Sequence, residues 1–441
     1  MTKHYFLIGI GGISMSGIAK LLLLTGEQVS GSDLAENQQI IELKKLGAKV
    51  IIGQDEKNIG AKIDEVIYTS AAANPTSPGL VEIKKARELG IPTYKRSQFI
   101  GKLAAEKFGI TVAGMHGKTT ITAMLGLVLK KLNQSPQVLL GGEFSGFSHQ
   151  NLEFPILVGN KIKFFVTEGC EYDRSFLDFK TQAAIISNIE PEHLDYFSGG
   201  LPEILAVFRK FISQIPKDGF VVVYWDNLNI RKIVNSAKCQ IIKYSAKELP
   251  NWKIQLSVPG EHNQLNALAV LKVIKQLGLD VDKAKQILAD FGGVSRRFEK
   301  LGKIGQTIFI DDYAHHPTEI KTVLVSARKF FGPKKILVIF QPHQYSRTKF
   351  FLNDFAGSFG AADVIVICDV YEVIGREEDK SIGSKQLVKK INQTGQKVKF
   401  LPTYQDVDKF LAKEYSKFDV IITMGAGPIN QVARKFLKYH Q

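Results

Sequence analysis

The segment Gly114-Met115-His116-Gly117-Lys118-Thr119-Thr120 sets two glycines, a lysine and two threonines between an apolar run and a helical pattern. That combination suits phosphate binding. Backbone N–H groups and a helix N-terminus can cradle an anion, Lys118 can reach the outer phosphates, and the Thr119 oxygen can hold Mg²⁺. The common eight-residue form of such a loop has glycine where this chain has Val112, so the loop is a shortened variant. A merely structural Gly-rich turn is the alternative, and placement and residue types favour the phosphate reading. Glu168 and Glu171 follow the apolar run Phe164–Thr167. A carboxylate at the C-terminal edge of a sheet is well placed to ligate Mg²⁺ beside such a loop. His193, after the run Ala183–Asn188, is a further candidate for a metal or phosphate contact.

Two other segments concentrate reactive groups. Asp311-Asp312-Tyr313-Ala314-His315-His316-Pro317 ends one apolar run, and Phe340-Gln341-Pro342-His343-Gln344-Tyr345-Ser346-Arg347-Thr348 ends the next. Pro317 suits a first helical turn. Arg347 could hold a carboxylate through paired N–H donors. Near the start, Gly9-Ile10-Gly11-Gly12-Ile13-Ser14-Met15-Ser16-Gly17 is similar to a dinucleotide fingerprint, with Ser14 where a glycine is usual. Asp33 lies 22 residues after Gly11, where an acid could bind a ribose hydroxyl. This loop fits a nicotinamide cofactor, any nucleotide diphosphate, or a purely structural turn.

Short apolar runs alternating with helical patterns must position these groups, and they indicate an α/β fold with parallel sheets. Residues 4–10, 29–33, 48–52, 64–69 and 92–94 read as strands of a first unit, with a helix over 14–25. A second unit has strands at 109–113, 163–167, 183–188 and 220–224, with helices from Thr119 and over 201–214, 263–278 and 281–291. Gly292-Gly293 breaks the pattern. Strands at 306–311, 335–340, 363–368 and 418–423 then alternate with helices at 317–331, 347–359, 381–392 and 429–438. The expected domains are therefore 1–97, 98–294 and 295–441, the first and last Rossmann-like.

Composition narrows the class. The chain has 441 residues, 44% hydrophobic and 23% charged, which can build sizeable cores and excludes a disordered chain. No run of 18 apolar residues occurs, which rules against a spanning helix. The uncharged start from Tyr5 to Ala19 is diluted by glycines and lacks a clean cleavage pattern, so a strand–turn–helix reading replaces a signal peptide. Cys170, Cys239 and Cys368 are far apart and fit a reducing, cytoplasmic setting. The formal charge of +15 is scattered, with no nucleic-acid module, so no nucleic-acid partner is expected.

The motifs together resemble the Mur ligase family. The segments are GIGGISMSG (9–17), SGSD (30–33), GMHGKTT (114–120), TEGCEYDRSFL (167–177), SNIEPEHLDYF (187–197), PGEHNQLNA (259–267), RRF (296–298), DDYAHHPTE (311–319), FQPHQYSRT (340–348) and GAG (425–427). Their order runs through the whole chain. The resemblance implies a UDP-substrate domain, a central P-loop ATPase domain and a C-terminal amino-acid-binding domain. It implies ATP-dependent joining of L-alanine to UDP-N-acetylmuramate through an acyl phosphate, with ATP and Mg²⁺ required. By the same resemblance, Lys118, Glu168 and His193 are catalytic, and Thr119, Glu168 and His193 are metal ligands. Gly114, His116, Gly117, Thr120, Asn263, Asn266, Arg297 and Asp312 would contact ATP. Gly11, Gly12, Ser14 and Asp33 would bind the UDP substrate, and Tyr313, His315, Gln344 and Arg347 the amino acid. Glu171 falls in a motif without an assigned role. A monomer or weak homodimer, not inserted in membranes, is expected.

Met115 stands where the family usually has threonine, and Gln344 where alanine-adding members carry arginine. The second departure opens glycine or serine as acceptors. A related ligase attaching a recycled peptide is the nearest alternative. A dehydrogenase would leave the phosphate loop unexplained. A nucleic-acid-binding ATPase would show steeply salt-dependent binding.

Overall fold

A computed structural model describes residues 2–154, 163–193, 196–372 and 379–440. Leu194 and Asp195 of the SNIEPEHLDYF segment lie outside the described residues. The chain divides into two compact units, one of residues 1–255 with 264–291, the other of residues 256–263 with 292–441.

The first unit holds two sheets. The N-terminal sheet comprises β1 (His4–Ile8), β2 (Gln28–Asp33), β3 (Lys49–Ile52), β4 (Glu65–Tyr68) and β5 (Thr93–Lys95). Its order is β3-β2-β1-β4-β5, and the pairings are parallel. Strand order reverses at β1, so the loop after β1 opens at the topological switch point, where open α/β sheets bind ligands. The middle sheet comprises β6 (Phe108–Ala113), β7 (Gln137–Leu139), β8 (Leu152–Glu153), β9 (Phe164–Gly169), β10 (Ala183–Ile186), β11 (Phe220–Tyr224) and β12 (Gln240–Tyr244). Its order is β12-β11-β10-β6-β9-β7-β8. β6 is therefore flanked by β9 and β10, and the C-terminal ends of all three converge.

The apolar runs of this sheet are continuous rather than alternating because helices cover both faces. β10 is buried throughout. The helix Gly200–Gln214 buries Ile204, Phe208, Phe211 and Ile212, a stripe at helical spacing, and the Phe211 ring stacks on Phe176 at 4.5 Å. The helix Lys118–Lys131 is buried from Thr119 to Leu129, as a central helix packed against the sheet requires.

The second unit carries β13 (Glu299–Ile304), β14 (Thr307–Asp312), β15 (Ile336–Phe340), β16 (Val364–Ile367), β17 (Val398–Phe400) and β18 (Val420–Met424), ordered β13-β14-β18-β15-β16-β17. Two expectations are corrected. The sheets are not wholly parallel, since β13 pairs antiparallel with β14 and β8 with β7. Only residues 305 and 306 separate β13 from β14, and Gly305 at φ +55° makes the tight hairpin turn. The single helix expected over 347–359 is two helices, Tyr345–Phe350 and Leu352–Ala356. Phe351 leaves helical geometry at the break (φ −100°, ψ 22°) and packs edge-on against the His316 ring at 4.6 Å. Among the described residues, no helix is long and apolar enough to cross a membrane.

Candidate active site

The loop after β6 turns through Gly114 at φ +127° and Gly117 at φ +84°, backbone that side chains rarely adopt. A Cβ on Gly114 would also sit 2.3 Å from the Ser187 hydroxyl. The end of β10 holds this loop. Asn188 Oδ1 accepts the Met115 and His116 N–H groups at 3.0 and 2.9 Å, and Asn188 Nδ2 donates to the His116 carbonyl at 3.0 Å. Ser187 donates to the same carbonyl at 2.6 Å. The upper N–H groups of the loop are thus occupied by protein. Those at Gly117 to Thr120, at the helix start, lack intrahelical partners by geometry, an arrangement suited to an anion. The His116 ring lies 3.6 Å from Glu190.

Lys118 curls back over the loop. Its Nζ donates to the carbonyls of Gly114 and Met115 and lies 3.1 Å from Glu171 Oε2. Glu171 Oε1 lies 3.3 Å from His193 Nε2. Glu171 is 1% exposed. Burial by itself would push its carboxyl pKa up, but the Lys118 charge and the His193 hydrogen bond overcome that and hold it well below the ordinary carboxylate value. Burial likewise opposes the Lys118 charge, and Glu171 reverses the balance, so its pKa is raised. Glu171 is therefore the buried anion that keeps the phosphate-loop lysine charged. Its burial was invisible in the sequence, where it stood in a motif without a role.

Glu168 occupies the β9 end. Its Oε2 accepts from Thr119 Oγ1 at 2.9 Å, and its Oε1 accepts the Gly141 N–H at 2.6 Å. Two hard oxygen donors at a helix N-terminus suit a Mg²⁺ ion that also binds phosphate. Asn266 meets the loop from the helix Glu261–Gln276, its Oδ1 lying 2.9 Å from where a Gly117 Cβ would stand. Asn263, on the same helix, uses its Nδ2 to hold the Pro259 carbonyl at 2.7 Å.

The first loop is braced by its own acid. Asp33 Oδ2 accepts the Gly11 N–H at 2.8 Å and Oδ1 accepts the Leu34 N–H at 2.8 Å. A Cβ on Gly11 would lie 2.9 Å from that carboxylate. Gly12 precedes the helix Ile13–Leu24, and Ser14 lies partly exposed in its first turn. The sequence reading set Asp33 beside a ribose; in the structure its carboxylate shapes the turn.

In the second unit the ends of β14, β18 and β15 adjoin. Arg296 spans them, with Nε 3.2 Å from Asp311 and its two terminal nitrogens on the carbonyls of Gly425, Ala426 and Gly427. The RRF segment alone does not tell its two arginines apart; the contacts make Arg296 the anchor. Arg297 is 5.1 Å from the Tyr313 ring centre and 3.7 Å from Glu319. Asp312 accepts the Phe298 and Ala314 N–H groups at 2.8 and 2.7 Å. Burial pushes its pKa up to about 6 against the pull of Arg297.

His315 Nδ1 lies 3.0 Å from the Tyr313 carbonyl, so that nitrogen carries the proton and Nε2 is the acceptor. Burial, with the Arg347 charge, keeps the ring's pKa well below the ordinary imidazole value. Arg347 reaches His343 Nδ1 at 3.2 Å, and the His315 and His343 rings are 5.8 Å apart. Gln344 is buried at φ +69°, its N–H on the Tyr371 carbonyl at 3.2 Å. Tyr313 and His315, on the loop after β14, thus adjoin Gln344 and Arg347, at the start of the helix Tyr345–Phe350. His262, also missed, has its pKa lowered to about 4 by burial and by Arg297. Its place inside PGEHNQLNA was the available signal.

Models for three domains match in series: "Mur ligase family, catalytic domain" over residues 4–108, "Mur ligase middle domain" over 112–253, and "Mur ligase, glutamate ligase domain" over 296–427. The chain belongs to the Mur ligase family. Its three-domain architecture, a Rossmann-like domain, a P-loop domain and a second Rossmann-like domain in chain order, follows from those matches and from the fold. A UDP-N-acetylmuramate–L-alanine ligase of Caldanaerobacter subterraneus subsp. tengcongensis is 40% identical, covering 99% of this chain and 97% of its own. One from Caldicellulosiruptor bescii is 39% identical over 99% and 98%. The crystal structure of UDP-N-acetylmuramate–alanine ligase from Thermotoga maritima superposes with a TM-score of 0.82, at 28% identity, over 100% of this chain and 99% of that one. A murein peptide ligase from Psychrobacter arcticus shares the fold with a TM-score of 0.70 at 22% identity, covering 99% and 98%.

Proposed function

We infer that this Mur ligase joins L-alanine to UDP-N-acetylmuramate with hydrolysis of ATP to ADP and phosphate, in peptidoglycan precursor synthesis. The observation that carries this reading is the Lys118–Glu171–His193 relay on a phosphate loop, in a chain similar end to end to alanine-adding ligases. We assign 1–97 to UDP-substrate binding, 98–294 to ATP binding and 295–441 to amino-acid binding, acting in the cytoplasm where ATP and UDP-sugars are made.

A carboxylate is a poor electrophile, so the substrate's lactyl carboxylate attacks the γ-phosphorus of ATP. The resulting acyl phosphate has a good leaving group. Lys118 places its ammonium on the transferring phosphoryl, and the N–H groups of Gly117 to Thr120 hold the neighbouring phosphates. Thr119 and Glu168 would hold Mg²⁺, which neutralises phosphate charge when bound. His193 is set toward the same groups by Glu171. Asn263, Asn266, Arg297 and Asp312 are assigned to ATP. The loop Gly11–Gly12, with Ser14 and Asp33, takes the UDP diphosphate and ribose.

Arg347 takes the alanine carboxylate, with Gln344 as a neutral second donor and Tyr313 beside it. His315 Nε2, unprotonated at neutral pH, accepts a proton from the incoming ammonium. The amine then attacks the acyl carbon, and the tetrahedral intermediate expels phosphate.

Phosphate release with ATP, Mg²⁺ and UDP-N-acetylmuramate tests this reading, with L-alanine, glycine, L-serine or a murein tripeptide supplied separately. Release requiring the UDP-sugar and L-alanine, with the matching product mass, is expected. Release with tripeptide alone would move the chain to the peptide-recycling reaction. No product from folded protein would overturn the ligase reading.

A further inference from the structure

The helix Ile13–Leu24 meets residues 140–153 through a buried polar junction that no step above uses. Lys20 is 2% exposed and Asn151 fully buried. Asn151 Nδ2 donates to the Ile13 carbonyl at 2.6 Å and to Ser16 Oγ at 3.0 Å. Its Oδ1 accepts from Lys20 Nζ at 3.0 Å. Lys20 also reaches Gln39 Oε1 at 3.3 Å and Glu42 Oε2 at 3.0 Å. Gln39 in turn donates to Glu143 Oε1 at 2.6 Å. Buried amides and ammonium groups are costly unless their partners are in place, so such a network tolerates one register only.

The same segment also touches the phosphate site. The Asn151 carbonyl accepts the Leu140 N–H at 2.9 Å, and the next residue, Gly141, donates to Glu168 at 2.6 Å. A Cβ on Gly141 would lie 3.0 Å from that carboxylate. Asn151 is thus bonded through its side chain to the first turn of the helix behind the Gly11–Gly12 loop. Through its main chain it is bonded to the neighbour of the residue that orients Glu168.

We propose that Asn151 is a positioning residue that locks the UDP-binding helix to the strap carrying Gly141, so that the lactyl carboxylate and the γ-phosphate are held in register. Lys20 fixes the amide's orientation by occupying Oδ1, which leaves both Nδ2 hydrogens for the helix. This inference rests on the ligase reading above. In-line attack needs reacting atoms in close, aligned contact, and a shift of about 1 Å far from the chemistry costs on the order of a hundredfold in rate. A tilt of the helix Ile13–Leu24 moves the far end of a long UDP-sugar by such an amount without removing any contact to ATP.

Asn151→Asp separates the two roles, since it keeps an oxygen for Lys20 and removes both donors to the helix. The full chain is assayed for kcat and for KM of each substrate, with ATP binding measured alone and thermal unfolding recorded. We expect kcat/KM for UDP-N-acetylmuramate to fall roughly tenfold to a hundredfold in folded protein, with ATP affinity within about twofold of the wild type. Lys20→Met keeps both donors and is expected to lose roughly threefold to tenfold on the same ratio. A folded Asn151→Asp enzyme with unchanged kcat/KM overturns the proposal. So does a loss that only tracks the folded fraction, and, if that variant does not fold, an unchanged Lys20→Met enzyme. A wild-type chain without ligase turnover would instead remove the functional reading beneath it.

Discussion

Replacing Glu171 by glutamine changes one charge and almost no volume, so it isolates what the buried anion does. At an effective dielectric constant of about 20, unit charges at the 3.1 Å separation of Lys118 and Glu171 attract by about 5 kcal/mol. The amide of Glu171→Gln still offers an oxygen, and Lys118 keeps the Gly114 and Met115 carbonyls. The net loss is therefore smaller, about 3 kcal/mol of stability at neutral pH, at the low end for one partner of a buried pair removed. The catalytic loss is separate. Lys118 and His193 both lose the group that aims them, and misdirected electrostatic groups cost about a hundredfold in kcat. The pH dependence has a definite sign. Because the folded carboxyl pKa lies below its ordinary value of 4.5, the stability it supplies is fully present above 4.5. That stability is lost as pH falls through the folded value. Denaturant unfolding of wild type and variant between neutral and strongly acid pH should therefore show a gap that closes on acidification. Phosphate release measured with saturating ATP, UDP-N-acetylmuramate and L-alanine gives the rate. A variant within about 0.5 kcal/mol of wild type and within about threefold of its turnover would refute the relay.

Lys118→Ala should abolish ATP-dependent ligation while calorimetry still detects binding of the UDP substrate, because the first loop lies on a different sheet. Retained ligation would remove the phosphate role. Gln344→Arg should lower KM for L-alanine roughly twofold to thirtyfold, the difference between charged and neutral hydrogen bonds, with KM for ATP unchanged. No improvement for any amino acid would count against a carboxylate contact at this position. The His262 ring should titrate near 4 by NMR rather than near its ordinary 6.5. Since the unfolded chain binds that proton first, stability falls as pH drops from 6.5 toward 4, and His262→Gln should flatten that limb. A ring titrating at its ordinary value would show that burial and Arg297 do not act on it.

Features made of neighbouring residues were legible in the chain itself. Apolar runs at strand spacing located β1, β6, β10 and β18, and Gly114 to Thr120 announced a glycine turn opening a helix, because both depend on local backbone geometry and residue type. The motif order identified the family and the acids and bases worth attention. Tertiary structure decided which of those groups meet. Glu171 becomes the charge partner of Lys118 and His193 only because β9 and β10 flank β6, bringing residues 118, 171 and 193 to one sheet edge. Asn188 takes the upper loop N–H groups for the same reason. Asp33 stands out in the sequence as an acid after β2, and only the fold shows its carboxylate bracing the Gly11 N–H. At the break at Phe351 the side chain packs on the His316 ring, a residue remote in sequence that spacing along the chain does not record. A carboxylate's pKa and partner depend on burial and on charges dozens of residues away. Spacing along the chain carries no record of either until the strand order is known.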